Sequence, residues 1–156
     1  MTLPPVTMRR ATRADLETIV RLYGDDALGS AREAIGPELA PEYERAFREI
    51  DADPAQFLAV AELGGAIVGT LQLTFIPNLT FVGGKRALVE AVRVAGGQRG
   101  RRIGEAMLLW AIEQARVAGC LLVQLTTDAR REQARRFYER LGFVPSHVGM
   151  KLRLDA

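Results

Sequence analysis

Between Leu88 and Gly104 the chain reads L-V-E-A-V-R-V-A-G-G-Q-R-G-R-R-I-G, and these residue types are suited to holding an anion. An apolar run, Leu88 to Ala95, gives way to a bend rich in glycine and arginine, and a helical pattern opens directly behind it at Glu105. Backbone N–H groups gathered in a bend at a helix N-terminus form a concave donor site of positive potential, which fits a phosphate or pyrophosphate. Gly96, Gly97, Gly100 and Gly104 permit tight turns and close approach of a ligand to the backbone, while Arg99, Arg101 and Arg102 supply charge and forked donors. Two common phosphate motifs do not match. A P-loop needs Gly-Lys followed by Ser or Thr, whereas this bend ends Arg-Arg-Ile-Gly-Glu, and the spacing of the glycines does not make G-x-G-x-x-G.

Other reactive side chains are few. Cys120, the single cysteine, excludes an internal disulfide and falls in an apolar run where it reads as a small core residue. His147 is the single histidine, with no second one to build a metal site or a serine-type triad. A formal net charge of +2 is too mild to imply nucleic acid, and its arginines gather in the bend and between Arg130 and Arg140. With 156 residues, 48% hydrophobic and 26% charged, residues 1–156 suit a single domain that buries about two thirds of its unfolded surface. No apolar run is long enough to span a bilayer and no signal-like segment opens the chain, so no membrane partner and a cytoplasmic location are expected.

The elements that must position the bend follow from periodicity. Val6 to Arg10 reads as a short strand, and Thr12 starts a helix whose cap pairs it with Asp15. Gly24 to Ala40 is aperiodic, and Pro41 opens a second helix to about Ile50. Phe57 to Leu63 and Ala66 to Ile76 form a hairpin about Gly64-Gly65, giving the Leu88 strand an antiparallel partner. Glu105 to Ala118 is a helix stopped at Gly119, and Cys120 to Thr126 is apolar enough to be a strand buried on both faces. A strand–helix–strand unit of this length runs its two strands parallel. A last amphipathic helix, Glu132 to Leu141, leads into two closing strands, Phe143 to Val148 and Met150 to Leu154. The fold class is therefore α+β, with a mixed, mostly antiparallel sheet and helices on both faces.

The bend resembles the acetyl-coenzyme A signature of the GNAT superfamily of N-acetyltransferases, Q/R-x-x-G-x-G/A, with Arg99 at its first position and Gly104 at its last. Arg102 stands where the inner glycine is expected. A second motif, Ala134-Arg135-Arg136-Phe137-Tyr138-Glu139-Arg140-Leu141-Gly142-Phe143, resembles the family's A-x-x-F-Y-x-x-x-G-F element at the family's spacing. The resemblance implies a GNAT fold in which the fourth and fifth strands splay apart and acetyl-CoA lies between them. It places Val92 and Val94 against the pantetheine arm, and the N–H groups of Arg99, Gly100, Arg101, Arg102, Ile103 and Gly104 on the pyrophosphate. Arg131 occupies the position of a pantetheine-binding asparagine, and Arg131 and Arg135 are expected to touch the cofactor's phosphates, since the last helix borders the same cleft.

The reaction implied is direct attack by a neutral primary amine, of a small molecule or a protein, on the acetyl thioester. Glu90, which interrupts the apolar strand, is the candidate base if buried, since desolvation raises a carboxyl pKa. An ion pair with Arg93 is the equal structural alternative. Tyr138 is the family-equivalent proton donor to the departing thiolate; by periodicity alone it is a core aromatic. The family's acceptor pocket lies under the 24–40 region, so Asp25, Asp26 and Glu33 are expected either to hold a cationic substrate or to form a solvated acidic surface. A non-catalytic acyl-CoA sensor or interaction module is the alternative function, and the resemblance leaves a homodimer open.

Overall fold

The computed structural model describes residues 2–155. Its centre is a five-stranded sheet in the order β1-β2-β3-β4-β5, made of β1 (Thr7–Arg10), β2 (Gln56–Leu63), β3 (Ala66–Ile76), β4 (Arg86–Val94) and β5 (Leu122–Leu125). The first four are antiparallel neighbours, and β4 and β5 run parallel. The hairpin between β2 and β3 turns on Gly64 and Gly65, both at positive φ, as the glycine pair predicts.

Strand alternation divides the apolar residues between two cores. Leu58 and Val60 of β2 pack with Ala11, α1 (Leu16–Tyr23) and α3 (Pro41–Ala52) on one face. Ala59 and Ala61 point the other way, joining Leu71, Leu73 and Val89 against Ile103, Met107, Leu108 and Ala111 of α5 (Ile103–Val117). That second layer is tight. A Cβ at Gly69 would lie 2.6 Å from Met107 Sδ and 2.9 Å from the Arg93 carbonyl, so only glycine lets α5 sit this close to β3. Two single turns, α2 (Ala27–Ser30) and α4 (Thr80–Gly83), lie in the connections, and α6 (Glu132–Arg140) follows β5.

The Thr12–Asp15 cap forms: Thr12 N–H donates to Asp15 Oδ2 at 2.7 Å, beginning a 3-10 turn at Arg13–Asp15 that runs into α1. Arg9 reaches the same carboxylate with both terminal nitrogens, at 2.7 and 3.0 Å, and donates from Nε to Glu62 at 2.9 Å. This joins β1, β2 and the start of α1.

The two closing strands do not form. Beyond Phe143 the described chain is irregular and extended, and Val148, Met150, Leu152 and Leu154 are 87–92% exposed. As a result β5 is an edge strand. All four of its residues are half-buried, where burial on both faces was expected, and Cys120 lies just before the strand, half-buried.

Candidate active site

β4 and β5 stay paired only from Arg86↔Leu122 to Val89↔Leu125; beyond that β4 continues to Val94 without its neighbour. The cause is local. The β3–β4 register slips between Thr70↔Arg93 and Gln72↔Glu90, and Ala91 in the slip has φ 52°. This is a β-bulge, which bends its strand and breaks the ladder. It also changes the phase of the strand. Before the bulge the Lys85 carbonyl faces β5, accepting from Leu121 N–H at 2.6 Å; after it, Ala95 N–H turns to Val68 O on β3. Alternation then turns the backbone groups of Val92 and Val94 to the open side. The side chains of Val92 and Val94 pack on the core beside α5, while their main chain faces the open side of β4. The Val92 carbonyl accepts from Arg93 Nη1 at 2.8 Å.

At the end of β4 the chain makes a 3-10 turn, Gly96–Gln98, passes Gly100 at φ 80° and enters α5 at Ile103. Ala106 donates the first helical bond, to Arg102 O, so the N–H groups of Ile103, Gly104 and Glu105 leave the helix end without a helical acceptor. Arg102, in the position where the family's motif has glycine, adopts φ 62°, ψ 19°, the left-handed conformation that glycine takes freely. Its guanidinium forks onto Glu105 at 2.7 and 2.8 Å. A depression of about 380 Å³, lined by Leu3, Pro4, Pro5 and Gly100–Arg102, opens beside the loop.

The acidic residues of the 24–40 region turn out to be engaged within the chain. Asp25 accepts from Gly96 N–H at 2.9 Å and lies 3.8 Å from Arg99 Nη2, so it braces the loop. Asp26 caps α2 through Gly29 N–H at 2.5 Å and pairs with Arg131 Nη2 at 2.9 Å and Arg93 Nε at 3.9 Å. Burial pushes the Asp26 carboxyl up, but the Gly29 N–H and the two arginines outweigh it and hold it below its ordinary value. Glu33 accepts from Tyr43 Oη at 2.7 Å and pairs with Arg32. Asp26 and Glu33 are thus paired within the chain, whereas Asp25 is exposed and engaged through Oδ2 alone.

Glu90 departs from the burial expected of it. It is exposed, because regular alternation through Val89↔Leu73 and Glu90↔Gln72 puts it on the face opposite buried Ala87 and Val89. No ion pair joins it to Arg93 among the described residues. Tyr138, on α6, is half-buried between Phe137 and Phe143, with ring centroids 5.2 and 5.9 Å away. Burial raises its phenol above the ordinary value, and the nearby charges of Arg93 and Arg131 only partly oppose this, so the hydroxyl keeps its proton at neutral pH. Arg131 therefore belongs to the tyrosine end of the cleft, with Asp26. Arg135 is an outer residue, held by Glu139 at 3.1 Å.

Arg93 is the residue that the sequence reading passed over, except as a partner for Glu90. Its side chain is 12% exposed, and its Nε is buried with no hydrogen bond. Burial, then the neighbouring Arg131, lower its pKa; Asp26 opposes them incompletely. The signal was an arginine alternating with valines just ahead of the glycines, but its meaning needed Arg131 and Tyr138, which come from a different helix.

An open parallel strand pair with a donor-rich loop at its end can hold a long, phosphate-bearing ligand, and a phenol stands beside it. The sequence profile of the acetyltransferase (GNAT) family matches residues 16–143. The chain is 32% identical, over 93% of its length and 89% of the relative's, to an aminoalkylphosphonate N-acetyltransferase of Salmonella typhimurium (strain LT2). Among solved structures, a transcriptional regulator from Bacillus halodurans C-125 is 49% identical with a TM-score of 0.93, covering 96% of this chain and 99% of its own. A protein of Agrobacterium tumefaciens str. C58, itself assigned to the acetyltransferases, is 31% identical with a TM-score of 0.83, over 94% and 99% of the two chains. The protein belongs to the GNAT family and is an acetyl-CoA-dependent acetyltransferase.

Proposed function

We propose that the enzyme acetylates the primary amine of a small molecule that also carries an acidic group, of the kind an aminoalkylphosphonate represents. The observation that carries this reading is the pair Arg93 and Arg131 beside the Tyr138 phenol. Their charge is only partly matched by Asp26, and Arg93 keeps a buried, unbonded Nε. A buried cation without full compensation favours an anionic ligand, and arginine's planar fork suits phosphonate or carboxylate oxygens. The 32% identical relative acts on such a compound by name. An acid group anchored there holds its amine near the end of the cleft, which converts a bimolecular encounter into a positioned one.

Acetyl-CoA supplies the thioester. In our reading the Val92 and Val94 main chain aligns the arm, and the loop from Arg99 to Gly104, braced by Asp25, takes the pyrophosphate. Val94 N–H meets the charge that develops on the thioester oxygen, and Tyr138 gives its proton to the departing sulfur. The base is reached through water: exposed Glu90 is connected to solvent, and its carboxylate can receive the amine's proton by that route.

The test is thiol release from acetyl-CoA with a panel of amines matched in length, ending in phosphonate, carboxylate, hydroxyl or a second amine. The acidic members are expected to lead by at least ~10-fold in kcat/KM, as a buried charge pair warrants. Preference for the diamine would overturn the acceptor class. Because the 49% identical structure is a transcriptional regulator, a second outcome is specific. Tight acetyl-CoA binding without turnover of any amine would favour the sensor reading.

A further inference from the structure

Tyr23 ends α1, and packing explains only part of it. Its ring lies on the core formed with Ala11, Leu16, Ile19 and Phe47, where phenylalanine would serve equally. The hydroxyl makes no hydrogen bond among the described residues. The fully enclosed side-chain atoms without a partner there are Arg86 Nε and Arg93 Nε, so the Tyr23 hydroxyl, unpaired as well, opens onto solvent. A half-buried phenol ordinarily finds a partner for its hydroxyl. The surroundings of this one are those of the acceptor anchor. α1 packs on β3 and β4, and after Tyr23 the chain turns back so tightly that a Cβ on Gly29 would lie 1.8 Å from the Tyr23 carbonyl. That turn carries Asp26, three positions beyond, onto Arg131 at 2.9 Å and Arg93 at 3.9 Å. Burial raises the Tyr23 phenol further above neutrality, to about 12; the Arg93 charge opposes this, and Glu33 and Tyr43 add to it. The hydroxyl is therefore a donor, on a different element from either arginine.

We propose that the Tyr23 hydroxyl selects among acidic acceptors, by donating to the third oxygen of a tetrahedral acid group whose other two oxygens lie on Arg93 and Arg131. This rests on the acceptor class proposed above and narrows it to phosphonates and phosphate monoesters. A guanidinium fork meets two oxygens in one plane, which is all that a carboxylate has. A tetrahedral group carries its third oxygen out of that plane, where a donor from a separate element can meet it. Charge points the same way. Arg32 and Arg131 both act on Arg93, and the carboxylates set against these three cations are Asp26 and Glu33, so a doubly charged group is favoured over a singly charged one. A site that bonds an oxygen rejects the analogue lacking it, because its own donor is then left unpaired.

The test uses the full chain and four primary amines matched in length, ending in phosphonate, phosphonate monomethyl ester, carboxylate or hydroxyl. In thiol release the wild type is expected to favour the phosphonate over the monomethyl ester and the carboxylate by at least ~10-fold in KM. Tyr23→Phe keeps the ring and should bring the phosphonate KM to that of the monomethyl ester, with kcat changed far less. Calorimetric titration of the phosphonate amine in the presence of coenzyme A should show the same loss without turnover. A phosphonate preference that survives Tyr23→Phe overturns the proposal, as does an equal loss on all four amines, which would make Tyr23 a packing residue. Acidic amines that lead the hydroxyl compound, with phosphonate and carboxylate equal, would sink this selection and leave the acceptor class standing. If the acidic amines do not lead at all, both fall.

Discussion

Tyr138 shows how one side chain acquires a role from its surroundings. Burial against Phe137, Phe143 and the core raises its phenol further above neutrality, while its place on α6 sets it beside Arg93 and Arg131. Tyr138→Phe keeps the ring packing and removes only the proton. Turnover is expected to fall about 100-fold, the lower range for a positioned acid, with KM for acetyl-CoA little changed. Stopped-flow or steady-state thiol release measures it, and a wild-type kcat would assign proton delivery to water. Arg93→Met tests the acceptor anchor in the same assay. It should raise KM for an acidic amine by ~10-fold or more while sparing a neutral one, because a buried charged hydrogen bond contributes about 1.5–3 kcal/mol. Equal losses on both substrates would make Arg93 a packing residue. Asp25, Asp26 and Glu33 teach the converse lesson, since each acid is taken up by a donor that only the fold brings near.

At the level of elements, the bulge in β4 does the most. It ends the pairing with β5 after Val89 and turns the Val92 and Val94 main chain toward the cleft. All of this rests on Ala91 holding φ 52°. Ala91→Gly is expected to be tolerated or mildly stabilising. Ala91→Val adds a β-branched side chain in a left-handed conformation and should destabilise by roughly 1–2 kcal/mol, with weaker acetyl-CoA binding as the ladder resets. Denaturant melts and calorimetric titration of the two variants check this; equal stability would show that the bulge is not fixed by that residue. The loop repeats the theme at Arg102, where a non-glycine residue again holds a left-handed conformation.

For the molecule as a whole, the Arg9–Asp15–Glu62 cluster ties the first strand, the second and the start of α1 into one unit, on the face away from α5. Hydrogen bonds from Arg9, helped by Thr12, lower the Asp15 carboxyl from 3.8 to about 2. The folded state therefore binds that proton less readily than the unfolded chain does. The stabilisation is complete above the unfolded value near 4 and is lost as pH falls from there toward 2. Its size is on the order of 2 kcal/mol. Thermal melts should show Asp15→Asn losing about that much at pH 7 and little at pH 2; a constant difference across the range would mean that the carboxylate's charge contributes nothing.

What could be read from residues alone was what is local in the chain. The glycine–arginine bend, the helix behind it, the hairpin at Gly64-Gly65 and the Phe137-Tyr138 element each depend on neighbours a few positions away, and together they sufficed for the family and its cleft. The tertiary structure decided what depends on distant partners. Asp25 meets Gly96 across 71 positions, Arg131 reaches Asp26 from another helix, and one bulge residue reverses which side of β4 faces the cleft. The two closing strands expected at Phe143 to Val148 and Met150 to Leu154 do not form, because alternation marks a face that could be buried without supplying the neighbour that would bury it.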